Sequence, residues 1–232
     1  MNKKLLAATI ALLAGSVGTP ALAAENPMDH AGIQHNMYLG CLMDVNASAN
    51  DSLIILVDKC GYDPKMPLER FIATQQPIID SIDPARPLSE NLAGMRNQFS
   101  AYEFSFIDRI DQIAEDAEDM DVAARQFEAL EQEAISRLDP NTKNGALVLG
   151  GLSVARHSNR YWSDYAVKSG QSTANGATSK GRFWKWLTVV LADVAGYFSS
   201  SSNSSSTIVN AGTAASGSYQ AYTTEFGSNN QP

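Results

Sequence analysis

Residues 145–167 read GALVLGGLSVARHSNRYWSDYAV, and this stretch decides the fold. Apolar and small side chains recur at spacings of three and four, which is typical of one face of an α-helix. The adjacent glycines 150 and 151 each destabilise a helix interior by about 1 kcal/mol relative to alanine. The economical compensation is the close approach of another helix; a kink at the glycine pair is the alternative. The stretch therefore predicts a tightly packed helix over about 142–167.

The chain before this helix shows the same spacing. Its strongest periodicity predicts an amphipathic helix over about Ser89–Glu118, followed by a second helix from Asp121 to a stop at Asp139 and Pro140. Two long helices joined by a short connection form an antiparallel hairpin in a bundle. The segment SLIILVDKC, residues 52–60, is rich in β-branched residues, yet no second strand is visible to pair with it. A helix is therefore predicted there as well.

Asp29 can cap an earlier helix that runs to about Asp44. One face of this helix is apolar, with a spacing that is typical of the buried side of a helix. Ile33, Met37 and Cys41 lie four residues apart on it, with Tyr38, Leu42 and Val45 beside them.

The chain has two cysteines, Cys41 and Cys60. A pair in an exported chain favours one structural disulfide, which would tie the first helix to the second and stabilise the fold by about 3 kcal/mol on a loop-entropy basis. Two free buried thiols are the main alternative. A redox pair is disfavoured because the close C-x-x-C spacing is absent.

The first residues, MNKKLLAATIALLAGSVGTPALA, have the order of a secretory signal peptide: two lysines, an apolar run, then small residues. Residues 1–23 are predicted to be cleaved after about Ala23, which places the mature protein in the periplasm or outside the cell. A retained membrane anchor is the alternative, but the apolar run is shorter than the roughly 20 residues that cross a bilayer.

The charge of the chain is acidic. It has 17 basic and 25 acidic residues, and loss of Lys3 and Lys4 with the signal would leave 15 against 25, a net charge of −10. Nucleic acid is therefore not an expected partner, since its binding depends on Lys and Arg that neutralise phosphates.

The composition divides the mature chain into a helical bundle over 24–168, a flexible linker over 169–182 and a Trp-led segment over 183–232. Lys185 and Asp193 argue against a membrane-spanning helix in the last part. Phe183, Trp184 and Trp186 form a candidate membrane or partner surface. Alternatively, this segment covers the open end of the bundle, and the residues after the serine-rich turn pack on it as a hairpin.

Catalytic and metal-binding patterns are weak. His30 and His35 are five residues apart, so on a helix they point about 140° away from each other, which does not suit two ligands of one metal. A hydrolase that uses Ser158, His157 and Asp193 lacks the Gly-x-Ser-x-Gly turn that presents a serine nucleophile. We therefore predict no catalytic residue, no metal ligand and no cofactor.

Polar residues inside apolar helices instead predict a buried polar network. An isolated charge in an apolar helix is costly unless it is paired, and Asp193 is such a charge. We expect Asp193 to contact Arg156 or His157. The full set of candidates is His35, Asn36, Arg156, His157 and Asp193.

Three stretches carry a resemblance: NPMDHAGIQHN (26–36), LSVARHSNRYW (152–162) and FWKWLTVVLADVAGY (183–197). Together they are similar to a group of uncharacterised exported bacterial helical proteins. That group has an Asn-Pro entry with a His-Asn pair, a Ser-x-Ala-Arg-x-Ser helix ending in Tyr-Trp, and a Trp-led Ala-Asp-x-x-Gly segment. The resemblance implies export but no known activity. In the group a Gly/Ala-rich tail follows, whereas serines follow here, which argues against membrane insertion.

These observations predict an all-α bundle of five to six helices with a C-terminal helical segment or hairpin after a flexible linker. The leading functional hypothesis is an exported, non-catalytic protein that binds an unknown protein partner in the cell envelope or outside the cell. The second hypothesis is a toxin-like, membrane-active protein in which the C-terminal segment detaches and inserts into the membrane. A helical hydrolase is third.

Overall fold

The computed structural model describes residues 24–170, 180–201 and 206–227, and all regular structure in these ranges is helical. Six helices of at least seven residues precede the linker and two follow it, which confirms the all-α bundle with a C-terminal hairpin. The predicted signal peptide and most of the predicted linker lie outside the described residues. In chain order the helices are α1 His30–Asp44, α2 Ser52–Asp58, α3 Leu68–Ser81, α4 Leu88–Asn91, α5 Ala101–Asp116, α6 Met120–Arg137, α7 Lys143–Lys168, α8 Lys180–Ser200 and α9 Thr207–Phe226.

Helix α7 lies at the centre of the bundle, between α1, α6 and α8. Thr142 begins it, because its hydroxyl accepts the N–H of Gly145 at 3.0 Å. The rings of Tyr197 and Phe198 on α8 lie directly over the glycines at 150 and 151, where a β-carbon would overlap them. The helix continues through the pair. The predicted close approach of a neighbouring helix is therefore confirmed.

The single helix predicted over Ser89–Glu118 is wrong. Two short pieces, α4 and a 3-10 turn at Ala93–Gln98, precede α5, which begins at a capping box formed by Ser100 and Glu103. The Asp111 carboxylate accepts the backbone N–H groups of Leu88 at 2.6 Å and Ser89 at 2.8 Å. In one continuous helix residues 88 and 111 would be about 35 Å apart. The chain therefore folds back so that a carboxylate of α5 caps α4.

Helix α1 buries only part of the apolar face that its spacing predicts, since Tyr38 and Leu42 are buried but the side with Ile33 and Met37 is exposed. Ile33 is 53% exposed and Met37 is 56% exposed. The helix lies between α7 and α9, and contacts with these two helices decide its rotation. The buried face consists of Ala31, Gly32, His35, Tyr38, Leu39, Leu42 and Met43.

The predicted disulfide between Cys41 and Cys60 is present, with the two α-carbons 5.8 Å apart. It joins α1 to the residues just after α2. Since 19 positions separate the two cysteines, the bond closes a loop whose entropy the unfolded chain loses, worth about 3 kcal/mol.

The C-terminal hairpin of α8 and α9 belongs to the same hydrophobic core as the preceding helices. Polar contacts connect α9 to the N-terminal half: the hydroxyls of Ser52 and Ser216 are 2.5 Å apart, and the Tyr219 hydroxyl donates to the carbonyl of Ala47. Thr213 Oγ1 donates to Gln75 Oε1 at 3.0 Å. The hairpin is thus a packed wall of the bundle.

Candidate functional site

Two groups of polar side chains lie along α7, one turn apart, and they contain most of the polar residues selected from the sequence. We call the first the outer polar cluster, because it reaches solvent, and the second the inner polar cluster, because it is buried. The outer polar cluster consists of Asn26, Asp29, Glu131, Ser153, Arg156 and His157. The inner polar cluster consists of His35, Ser158, Trp162, Asp193 and Ser218.

Arg156 is the centre of the outer polar cluster. Its Nε donates to Glu131 Oε2 at 2.5 Å, and its Nη2 donates to Asp29 Oδ1. Asn26 completes the set, since its Nδ2 donates to Glu131 Oε1 at 2.6 Å and to the carbonyl of Leu149 at 2.9 Å. One guanidinium thereby joins α6, α7 and the entry to α1.

Asp29 lies at the start of α1 and faces three donors. His157 Nε2 lies 2.9 Å from Asp29 Oδ1, and Ser153 Oγ donates to the Asp29 carbonyl at 2.9 Å. Burial opposes ionisation of Asp29, but hydrogen bonding to His157 and the nearby charges of His157 and Arg156 lower its pKa overall. The carboxylate is held charged at the helix N-terminus, where negative charge is favoured.

Gly32 permits this contact. A β-carbon at this position would overlap the Ser153 carbonyl and the His157 ring. With glycine there, the Gly32 N–H donates to Ser153 Oγ at 3.1 Å. Close approach of α1 to α7 is thus a condition for the outer polar cluster.

Asp193 of α8 is the centre of the inner polar cluster and is fully buried. The Ser158 hydroxyl donates to its Oδ2, and Trp162 Nε1 donates to the same oxygen at 3.3 Å. Oδ1 has no hydrogen-bond partner, and the Ser218 hydroxyl of α9 faces the carboxyl outside hydrogen-bonding geometry. Burial raises the pKa of Asp193 to about 8, although the hydrogen bond from Ser158 opposes this shift.

His35 approaches the same carboxyl from α1. Its Nε2 lies 3.7 Å from Asp193 Oδ2, and both side chains have no exposed surface. Its Nδ1 lies 3.0 Å from Asn36 Oδ1, while Asn36 Nδ2 donates to the carbonyl of His157 at 2.9 Å. Burial lowers the pKa of His35 to about 4.

Of the five residues of the predicted polar network, Arg156 and His157 lie in the outer polar cluster, and His35 and Asp193 lie in the inner one. Asn36 links the two clusters, because its side chain contacts His35 and the His157 carbonyl. The expected partner of Asp193 is wrong: Arg156 and His157 turn to Asp29, and Asp193 pairs with Ser158 instead. Successive side chains on a helix point about 100° apart, so residues 156 and 158 face different neighbours.

Several members of the clusters were not selected from the sequence. Glu131 carried the clearest signal, because it lies on α6 between the buried residues Phe127 and Ala134, and a carboxylate within such a stripe needs a partner. Asn26 and Ser153 lie in the Asn-Pro and Ser-x-Ala-Arg-x-Ser motifs of the resemblance, but small polar residues are common in loops and helices, so nothing in the sequence indicated their partners.

The geometry opposes the hydrolase hypothesis. Ser158 is fully buried and donates to Asp193, whereas His157 points to Asp29. Ser158, His157 and Asp193 therefore do not form the relay of nucleophile, base and orienting acid that such catalysis requires. Within the described ranges, no three His, Cys, Asp or Glu side chains are placed to hold a metal ion.

The aromatic residues proposed as a membrane or partner surface are mostly inside the protein. Phe183 and Trp186 are buried, and Trp184 is half-buried. The Trp186 ring stacks on Phe226 with 4.1 Å between ring centroids and lies 5.4 Å from the Trp162 ring. These large rings gain more by packing against one another than by facing solvent, so the prediction of an exposed surface is wrong for Phe183 and Trp186.

A polar groove of about 340 Å³ lies between α6 and α7. Arg156 forms part of its wall, so the outer polar cluster borders the groove, whereas His35, Ser158 and Asp193 are not among its lining residues. The groove is lined by Met120, Asp121, Ala124, Glu128, Arg156, Asn159, Arg160, Ser163 and Asp164.

No protein-family model matches the chain, and comparison with curated proteins and with solved structures finds no match. Of the helices that the structure describes, none combines the length and apolar character needed to cross a bilayer. Both clusters hold helices together. The outer polar cluster does so through ion pairs, and the inner polar cluster does so through hydrogen bonds to a buried carboxyl.

Proposed function

We propose that this chain is an exported, non-catalytic helical protein that acts by binding a partner protein in the cell envelope or outside the cell. The observation that carries the proposal is the inaccessibility of its reactive groups. His35, Ser158 and Asp193 are fully buried. His157, the histidine of α7, is hydrogen-bonded to Asp29. Residues that an enzyme would present to a substrate are used here to join helices.

Export is supported by the character of residues 1–23 and by the disulfide between Cys41 and Cys60, which suits an oxidising compartment. Fractionation of the source cells and intact-mass measurement test it. We expect a mature chain that begins at Ala24, carries the disulfide and is found outside the cytoplasm. A full-length cytoplasmic chain with two free thiols would contradict export.

Binding is supported by the large apolar side chains that remain exposed on α1, Ile33 and Met37. A photo-crosslinking amino acid at position 37, introduced in the source cells, tests whether this face meets a protein. We expect one discrete adduct. The matched control is the same probe at Glu115, an exposed position on α5, which should give no such adduct. Absence of an adduct at position 37, or the same adducts from both positions, counts against the proposal.

The membrane-active alternative requires α8 to leave the core. Trp186 and its neighbours Leu187 and Val190 are fully buried, so insertion would expose the apolar surface around them to water before lipid covers it. Dye release from anionic and neutral vesicles, together with tryptophan fluorescence, tests this alternative on the full chain. We expect no release and no change in emission. Release accompanied by a shift in tryptophan emission would favour the membrane-active function over the one proposed.

A further inference from the structure

Asn36 determines which nitrogen of His35 carries hydrogen. Because Asn36 Nδ2 donates to the His157 carbonyl at 2.9 Å, its Oδ1 is the atom turned toward His35 Nδ1, 3.0 Å away. The opposite orientation of the amide would place two oxygens against each other. His35 Nδ1 therefore donates, and in the neutral ring Nε2 has only a lone pair.

That lone pair faces a carboxyl oxygen. His35 Nε2 and Asp193 Oδ2 are 3.7 Å apart without exposed surface, and Nε2 has no hydrogen-bond partner. With no proton on the pair, a buried carboxylate faces a lone pair and the net charge is −1. With two protons the net charge is +1. Only one proton gives a neutral pair, as either acid and imidazole or carboxylate and imidazolium, and burial strongly favours neutrality.

Among the described residues, no cation of the surrounding helices compensates the Asp193 carboxylate. On α7, Arg156 is paired with Glu131 and Asp29, and His157 is hydrogen-bonded to Asp29. Tyr161 is the other α7 group with an electrostatic effect on the pair, since Asp193 helps to raise its pKa. From α9 the group that faces the carboxyl is the neutral hydroxyl of Ser218.

We propose that His35 and Asp193 hold one proton between them, and that its loss weakens the contact between α1 and α8, which makes the core sensitive to pH. The shared proton needs no ligand and no metal. It can leave only when the interior opens or when solution pH makes a buried negative charge less costly than the bound proton.

The direction of the pH dependence follows from the protons bound in each state. The folded pair holds one proton from about pH 4, the pKa of His35, to about pH 8, the pKa of Asp193. In the unfolded chain the two groups have their ordinary pKa values, 3.8 for Asp and 6.5 for His. The unfolded chain therefore also holds one proton between pH 3.8 and 6.5, so the pair contributes no slope there. Between pH 6.5 and 8 the unfolded chain loses its proton and the folded chain keeps it, so stability falls as pH rises.

Thermal unfolding from pH 5 to 9 tests the proposal on the full chain. We expect a flat melting temperature to pH 6.5 and a fall of about 5 °C between pH 6.5 and 8.5. Asp193→Asn has nearly the shape of the protonated acid but no proton to lose, so it should remove this fall. The control, His30→Asn, removes an exposed histidine outside both clusters and should keep it. A fall of the same size in D193N overturns the proposal.

Nuclear magnetic resonance on the unsubstituted protein decides the matter if D193N does not fold. We expect His35 in the form with hydrogen on Nδ1 at pH 6, and an Asp193 carboxyl carbon that changes its chemical shift near pH 8. Hydrogen on His35 Nε2 with an Asp193 carboxyl that titrates near pH 4 would mean that the two groups share no proton, and would overturn the proposal.

Discussion

The outer and inner polar clusters lie one turn apart on α7. The outer polar cluster consists largely of ion pairs, whereas the inner polar cluster surrounds a buried carboxyl with neutral groups. In the outer polar cluster, Arg156 is 28% exposed and contacts two carboxylates, and each charged group has a partner of opposite sign. In the inner polar cluster, Asp193 is fully buried and is reached by hydroxyl and indole donors and by the lone pair of His35. A cation partner lets even the nearly buried Glu131 carboxylate remain charged, whereas a fully buried carboxyl without one favours neutrality.

The comparison also separates two ways of joining helices. Charged contacts in the outer polar cluster join α1, α6 and α7 through one guanidinium, so their loss leaves other charges unpaired. The inner polar cluster joins α1, α7 and α8 around a group that can change protonation. Substitutions in the first should therefore affect stability at every pH near neutrality, and substitutions in the second should have pH-dependent effects.

The largest effect is expected from Arg156→Met. It removes the only cation that contacts Glu131, whose side chain is 3% exposed in the described structure, and unpaired buried charges destabilise a fold strongly. We expect the free energy of unfolding to fall by about 3 kcal/mol in urea denaturation at pH 7. Arg109→Met is the matched control, because the Arg109–Glu133 pair is 39% and 41% exposed, and it should cost less than about 1 kcal/mol. If both variants lost the same free energy of unfolding, burial of Glu131 would not make its ion pair more important than the exposed Arg109–Glu133 pair.

A smaller, pH-dependent effect is expected from Ser158→Ala. The Ser158 hydroxyl donates to Asp193 and lowers its pKa, so it stabilises the ionised form more than the neutral form. The variant should lose about 1 kcal/mol at pH 6 and about 2 kcal/mol at pH 9, measured by urea denaturation at both values. Ser136→Ala, which removes an exposed hydroxyl on α6, should change little at either pH. A loss that does not grow with pH would show that Asp193 keeps one charge state throughout.

The smallest effect is expected from Asp29→Asn. The pKa of Asp29 lies below the ordinary Asp value of 3.8, so its stabilisation is present above that pH and is lost as pH falls through the folded value. Because the side chain is 37% exposed, the cost at pH 7 should stay below about 1 kcal/mol. Urea denaturation at pH 7, 4 and 3 should show the difference from the unsubstituted protein shrinking on acidification. If the stability difference between the two proteins persisted at pH 3, the negative charge of Asp29 would not be the source of its stabilisation.

Local signals predicted most helices. The close packing at the glycine pair of α7, the approximate start of this helix at Thr142 and the disulfide between the two cysteines followed from residue type and spacing. The break before α5 was missed, although Ser100 and Glu103 have the S-x-x-E spacing of a capping box. The apolar periodicity continues across that break, and periodicity alone does not show where a chain turns.

The candidate site was harder to predict than the fold. The sequence indicated that Asp193 needs a partner, but Arg156, His157 and Ser158 are consecutive on α7, and each is a chemically reasonable choice. A rotation of α7 by one residue changes which of them faces α8. That rotation depends on the packing of Tyr197 and Phe198 over the glycine pair, a contact between distant parts of the chain.

The sequence by itself determined most of the elements: helical periods, the close approach at Gly150 and Gly151 and the cysteine pair, because each depends on residues within a few turns or on a count. Only the tertiary structure decided which face of α1 is buried and that Asp193 meets His35 and Ser158. The burial of Phe183 and Trp186 was decided there too. These outcomes depend on how helices rotate to fill the core and on the cost of burying charge, and both are set by partners far away along the chain.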